Sequence, residues 1–138
     1  MKLMGFNLIK INLEKKSNKL KDAKISTSID VSEVKGIKSD LLKPQESLIG
    51  IEFEYIINYE KEIALLNFQG NLLVSLDSKQ AEEVLHSWKD KKLPEEFRLT
   101  IFNIIFRKAS LKALKFEEEL NLPPHIPFPS FKPQKTKD

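Results

Sequence analysis

The sequence has no cysteine, and its 138 residues include only four glycines, two histidines and one tryptophan. Without cysteine there is no disulfide staple, no iron–sulfur cluster and no thiol nucleophile. Gly5, Gly36, Gly50 and Gly70 stand too far apart for a G-x-G-x-x-G or Walker loop, so no known nucleotide-binding motif is present. A membrane helix needs about 18 consecutive apolar residues, and the longest apolar neighbourhood, 99–106, is broken by Thr100 and Asn103. The opening Met1-Lys2-Leu3-Met4-Gly5-Phe6-Asn7 turns polar too early for a secretory signal, which sets a cytoplasmic expectation. His86 and His125 are a thin supply for acid–base chemistry, and both read as surface or packing residues. The carboxylates at Glu82-Glu83, Glu95-Glu96 and Glu117-Glu118-Glu119 are helix neighbours that point in different directions, so they read as solvated faces. No catalytic residue, metal set or cofactor is expected, and the chain does not read as an enzyme.

What is present is apolar residues in quantity. At 41% hydrophobic and 31% charged, with a net charge of +3, the composition excludes wholesale disorder and collagen-like structure and suits one globular domain. That domain is placed at 1–131, followed by a mobile 132–138. Residues 1–45 carry ten lysines against five acids, whereas 46–77 carry six acids and one lysine. This partition reads as solvated lysines on edge strands rather than a nucleic-acid surface, so no nucleic acid and no membrane insertion is expected.

The order of the residues gives four strands and then two helices. Met4, Phe6 and Leu8 alternate on one face, and Ile9, Ile11 and Leu13 continue on the other, as across a bulge, giving a strand at 4–14. Ile25, Thr27, Ile29 and Val31 mark a second at about 24–34. After a loop at Gly36, Ser39, Asp40 and Pro44, the alternation of Ile49, Ile51, Phe53, Tyr55 and Ile57 is the clearest in the chain. A tight connection leads to Ala64, Leu66, Phe68, Gly70, Leu72, Val74 and Leu76, completing a hairpin. The period then changes. Asp77 and Gln80 have capping-box spacing before Ala81, Val84, Leu85 and Trp88, which predicts a short helix at 78–90. Pro94 and the acids Glu95 and Glu96 open a longer helix that runs to Leu120. The fold class is therefore α+β, a four-stranded antiparallel sheet with a short and a long helix on one face.

Phe97, Leu99, Ile101, Phe102, Ile104, Ile105 and Phe106 cover more than one side of the long helix. The tail adds Leu122, Ile126, Phe128 and Phe131 between prolines that bar a helix. Such an apolar surplus predicts protein contacts and self-association.

The order of elements, together with Leu120-Asn121-Leu122-Pro123-Pro124-His125-Ile126-Pro127-Phe128, resembles the SecB family of export chaperones over residues 4–129. Phe6-Asn7-Leu8 and the hairpin at 51–76 also fit that family. The resemblance implies a homotetramer, assembled through first strands and long helices, that holds unfolded polypeptide clients in apolar grooves without ATP. By position it places Phe97, Ile101, Ile104 and Ile105 in the oligomer layer. It places Leu122, Ile126 and Phe128 along a client groove, with Phe131 beyond them and Ile37, Leu41 and Leu42 reaching it from the loop before the third strand. SecB proteins are typically acidic and engage the SecA motor through acidic sheet positions. Here the sequence pI is about 9.0, with Glu52 and Glu54 as a local exception, which argues against SecA docking. The connection after the first strand holds only Leu20 as a large apolar residue. That poverty favours a second reading, an oligomeric adaptor for one specific folded partner, as in SecB-like proteins that serve toxin–antitoxin pairs.

Overall fold

Period-two apolar patterning over the first half of the chain yields β1 (Lys2–Lys15), β2 (Ile25–Ile37), β3 (Glu46–Tyr59) and β4 (Ala64–Asp77). The change of period then yields α1 (Ser78–Trp88) and α2 (Glu95–Glu119). The computed structural model describes residues 1–19, 23–38, 40 and 43–134. Leu20, Leu41, Leu42 and residues 135–138 of the expected tail lie outside the described residues.

The strands form one antiparallel sheet in the order β1-β4-β3-β2, so the first two strands are its opposite edges. The end of β1 and the approach to β2 are both tied to the tip of the β3–β4 hairpin. Lys16 and Ser17 donate backbone N–H groups to the Ile63 carbonyl, and Glu60 donates to that of Lys24. The tip itself has Lys61 and Glu62 at φ of 63° and 57°, the paired left-handed conformation that matches strand twist in a tight hairpin.

Directly opposed residues of an antiparallel ladder share a face. The face under the helices is built from Tyr55, Ile57 and Tyr59 of β3, with Leu66, Phe68 and Leu72 of β4 beside them, all enclosed. Val31 and Val34 extend it through β2, and Leu3, Phe6, Leu8 and Leu13 through β1. The other face is mixed, with Leu48, Ile56, Leu65 and Leu73 set among polar residues. It carries Asn67, Gln69 and Asn71, together with Asp30 opposite Glu54 and Glu33 opposite Glu52.

The structure corrects one reading of β1. Register shifts fall between Leu3 and Gly5 and between Leu8 and Lys10, so a bulge does occur at Ile9. Its effect is to return Ile11 and Leu13 to the helix side with Phe6 and Leu8, opposite Phe68 and Leu66, because one extra residue resets the alternation. The two unpaired residues, Met4 and Ile9, stay exposed, Ile9 at 68%.

Gly70 on β4 sits between Leu8 of β1 and Phe53 of β3. Because it has no side chain, Phe6 and Phe53 stack across it with centroids 5.4 Å apart. A Cβ there would run into the Asn7 carbonyl oxygen and lie 3.0 Å from the Phe53 ring.

The helices cover the apolar face. Asp77 caps α1, its carboxylate accepting from the Gln80 N–H at 2.8 Å, and Ala81 and Val84 are buried below. In α2 the enclosed residues Ile101, Ile105, Ala109, Ala113 and Glu117 recur every four positions. Among the described residues no helix is long and apolar enough to cross a membrane.

Candidate functional site

The fourfold spacing along α2 carries one carboxylate into the interior. Glu117 is 1% exposed, which corrects its reading as part of a solvated acidic run. The stripe that buries Ile101 and Ile105 arrives at residue 117 with a charge, and a buried carboxylate is retained only when its lone pairs are filled. The chain beyond the helix does much of the filling. Asn121 adopts φ 55°, and its N–H and that of Leu122 donate to the carbonyls of Glu118 and Glu117. This is a Schellman ending, which explains why an asparagine stands between two leucines there. The reversal turns the tail back along the seam between α2 and the sheet, with Leu122 buried and His125 brought to Glu117.

Five side chains then form a continuous buried row. His125 Nδ1 lies 2.7 Å from Glu117 Oε1, and the His125 backbone N–H donates to Oε2 at 3.0 Å. The Tyr59 hydroxyl donates to the same carboxylate and lies 2.5 Å from the Pro123 carbonyl. His125 Nε2 lies 3.0 Å from Ser110 Oγ, which lies 3.0 Å from the Tyr55 hydroxyl. One proton order satisfies the row: Tyr55 O–H donates to Ser110, Ser110 O–H to His125 Nε2, and His125 Nδ1–H to Glu117. No buried side-chain polar atom among the described residues lacks a partner. Tyr55 and Phe106 flank the imidazole edge-on at 6.3 and 6.4 Å.

The sequence Ser110, His125, Glu117 has the order of an acyl-transfer triad, but its setting serves holding rather than reaction. Ser110 is 2% exposed, so no substrate reaches its oxygen. It also lies inside α2, where backbone N–H groups are committed to helix bonds and none is free to stabilise an oxyanion. Sequence reasoning missed this row because bonded neighbours along it stand 8 to 58 residues apart. The available signal was an acid on the four-residue apolar stripe.

Burial raises the proton affinity of both tyrosines. For Tyr59, desolvation is the largest cause, followed by the bond to Glu117 and the charge of that carboxylate. For Tyr55, desolvation dominates over the opposing bond to Ser110. The folded chain therefore holds these protons more tightly than the unfolded chain does. That stabilisation is complete below the ordinary tyrosine value of 10.0 and is lost as pH rises beyond it. Urea unfolding at pH 9 to 11 should show Tyr59→Phe losing stability less steeply than the parent, by up to about 1.4 kcal/mol per pH unit. Parallel slopes would remove Tyr59 from the alkaline transition.

A second feature is open to solvent. A cleft of about 370 Å³ lies where β2, the α1–α2 connection and α2 meet, lined by Val31, Trp88, Leu93 and Phe102. Its rim is charged: Lys91 Nζ lies 4.8 Å from the Trp88 ring centre, and Arg98 lies over Phe102 while bonding Glu95 at 2.9 Å. Cations over aromatic faces hold those rings in place and leave an apolar floor between charges. Trp88 was legible as a helix residue, but the cleft requires the α1–α2 turn to bring it to Phe102.

The residues expected at a client groove do not converge. Ile37 lies on the sheet face away from the helices, opposite Leu48 and over Gly50, whereas Leu122 is part of the core on the helix face. Ile126 is half-buried, Phe128 is 63% exposed and Phe131 is fully exposed. Leu41 and Leu42 fall outside the described residues. Of the residues expected in an oligomer layer, Ile101 and Ile105 are enclosed within the chain's own core, and Phe97 and Ile104 are half-buried. The apolar side chains that α2 leaves exposed are Leu99, Phe106 and Leu111.

No protein-family model matches the chain. No curated protein matches it either. Among solved structures, it is similar to the Mycobacterium tuberculosis Rv1957 SecB-like chaperone, in complex with a ChAD peptide from the Rv1956 HigA1 antitoxin. The two are 12% identical, with a TM-score of 0.53 over 96% of this chain and 91% of that one. The four-stranded sheet with its two helices is thus a SecB-like fold.

Proposed function

We propose that the protein is an ATP-independent holdase that binds extended, apolar polypeptide segments. The observation that carries this reading is the Trp88 and Phe102 cleft, an apolar floor left open beside an already complete core. Supporting it, a SecB-like neighbour is itself seen with a peptide bound. An apolar floor with a mixed-charge rim takes a side chain of a client by burial and tolerates varied flanking residues, so binding is broad rather than sequence-specific. In this reading the chain is a homo-oligomer, with a tetramer implied by the family resemblance. The exposed Met4, Ile9 and Ile11 of β1 and Leu99, Phe106 and Leu111 of α2 supply its contacts. Several clefts on one assembly raise the effective concentration for a single client.

The direct test is suppression of aggregation of a chemically unfolded protein at several-fold molar excess. Suppression is expected, and its absence sinks the reading. Trp88→Ala should weaken binding of an unfolded polypeptide about tenfold, measured by fluorescence anisotropy, as truncating an aromatic anchor does at other interfaces. An unchanged affinity would place the client elsewhere.

A second reading, an oligomeric adaptor for one specific partner, is favoured by the neighbour's occupant, a peptide from a single antitoxin. Affinity capture separates the two. Many unrelated unfolded chains mark the holdase, and one stoichiometric partner marks the adaptor.

A further inference from the structure

The seam between β3 and α2 is filled by the chain's own tail. Leu122 is buried, Ile126 is half-buried, and the side chains of His125 and Glu117 are 0% and 1% exposed. From Pro127 to Gln134 every residue is exposed. Anchorage is therefore confined to a few residues, and within it one side chain, His125, makes the polar bonds into the body. The segment joins no strand ladder. Pro123, Pro124, Pro127 and Pro129 keep it out of helix, with a bend at His125 and Ile126, and Leu122, Ile126, Phe128 and Phe131 make it apolar. In chemistry it is itself an unfolded client segment, seated in cis.

The wall it covers is suited to more than one occupant. Tyr55 and Phe106 give an aromatic side, and Ser110, Glu117 and Tyr59 give a row of donors and acceptors beside it. The tail satisfies this row with one imidazole, one backbone N–H and the Pro123 carbonyl. Any extended chain offers backbone N–H groups to a carboxylate, so removal of the tail leaves a groove that another such segment can fill.

We propose that residues 122–126 are a strap that competes with polypeptide clients for the β3–α2 seam, and that the His125–Glu117 bond is the lock that sets its closure. This rests on the holdase reading for the identity of the competitor, though the lock stands on its own geometry. Removing the lock raises the population of open seam, and apparent affinity rises with that population.

The test uses the full-length chain and its His125→Ala variant, with a fluorescein-labelled, permanently unfolded polypeptide as probe. The variant should exchange the amide protons of residues 122 and 125 about tenfold faster. It should bind the probe at least about threefold more tightly. A synthetic peptide of residues 121–131 should compete for that gain, and the same peptide with alanine in place of histidine should compete more weakly. Unchanged exchange overturns the lock. Faster exchange with unchanged or weaker probe binding overturns the competition. If neither protein binds the probe, the holdase reading fails. Direct binding of the 121–131 peptide to the variant then decides the strap, a bound peptide upholding it and an unbound one overturning it. Should His125→Ala lose its cooperative melt, His125→Gln, which keeps a donor for Glu117, carries the same comparison.

Discussion

Replacing Glu117 with alanine should lower the stability of the fold by about 3 to 5 kcal/mol, the usual cost of removing one member of a buried, hydrogen-bonded pair. The size follows from what the carboxylate leaves behind. Its loss strands the His125 backbone N–H and His125 Nδ1 away from water and leaves the Tyr59 hydroxyl with the Pro123 carbonyl alone, and each unsatisfied group costs about 1 to 3 kcal/mol. Glu117→Gln keeps one acceptor and should lose less. Equilibrium urea unfolding measures both, with the midpoint read at constant slope so that a change in the unfolded state is not mistaken for lost bonding. If alanine costs no more than a surface substitution, the row is held by packing alone.

The second large effect is expected at the centre of the sheet. Gly70→Val should destabilise by about 3 kcal/mol, at the upper end of what overpacking causes. The obstacle is backbone rather than a flexible side chain, because the new Cβ meets the Asn7 carbonyl oxygen of the paired strand. Relief requires β1 to move away from β4, which breaks the ladder from Leu8 outward, or Phe53 to leave its stack with Phe6. Thermal unfolding followed by circular dichroism would show this as a lowered midpoint. A variant that melts with the parent would mean that β1 yields freely at this position.

Much of the architecture was legible because it depends on local period. The alternation from Ile49 to Ile57, the change to threefold and fourfold spacing after Asp77, and Pro94 before two acids each act within a few residues, and the strands and helices fall where those signals place them. The bulge at Ile9 was legible too, but its consequence was not. The parity of a strand after an extra residue depends on its partner, and the partner of β1 is β4, more than fifty residues later. The site was less visible for the same reason. Glu117 resembles Glu118 and Glu119 in sequence, and only the direction of the helix stripe separates a buried carboxylate from two solvated ones. His125 reads as a spacer between prolines until the Schellman turn at Asn121 carries it back to the helix. Of the apolar residues of α2, Ile101 and Ile105 are spent on the chain's own core, and Leu99, Phe106 and Leu111 are left over.

The strand order has a kinetic corollary. A hairpin of adjacent strands such as β3 and β4 closes on the microsecond scale, whereas β1 must wait for β4 to leave the ribosome before either can pair. Until β4 emerges, β1 holds Phe6, Leu8, Ile11 and Leu13 unsheltered. During that interval the proposed holdase is itself an unfolded chain of the kind it would bind.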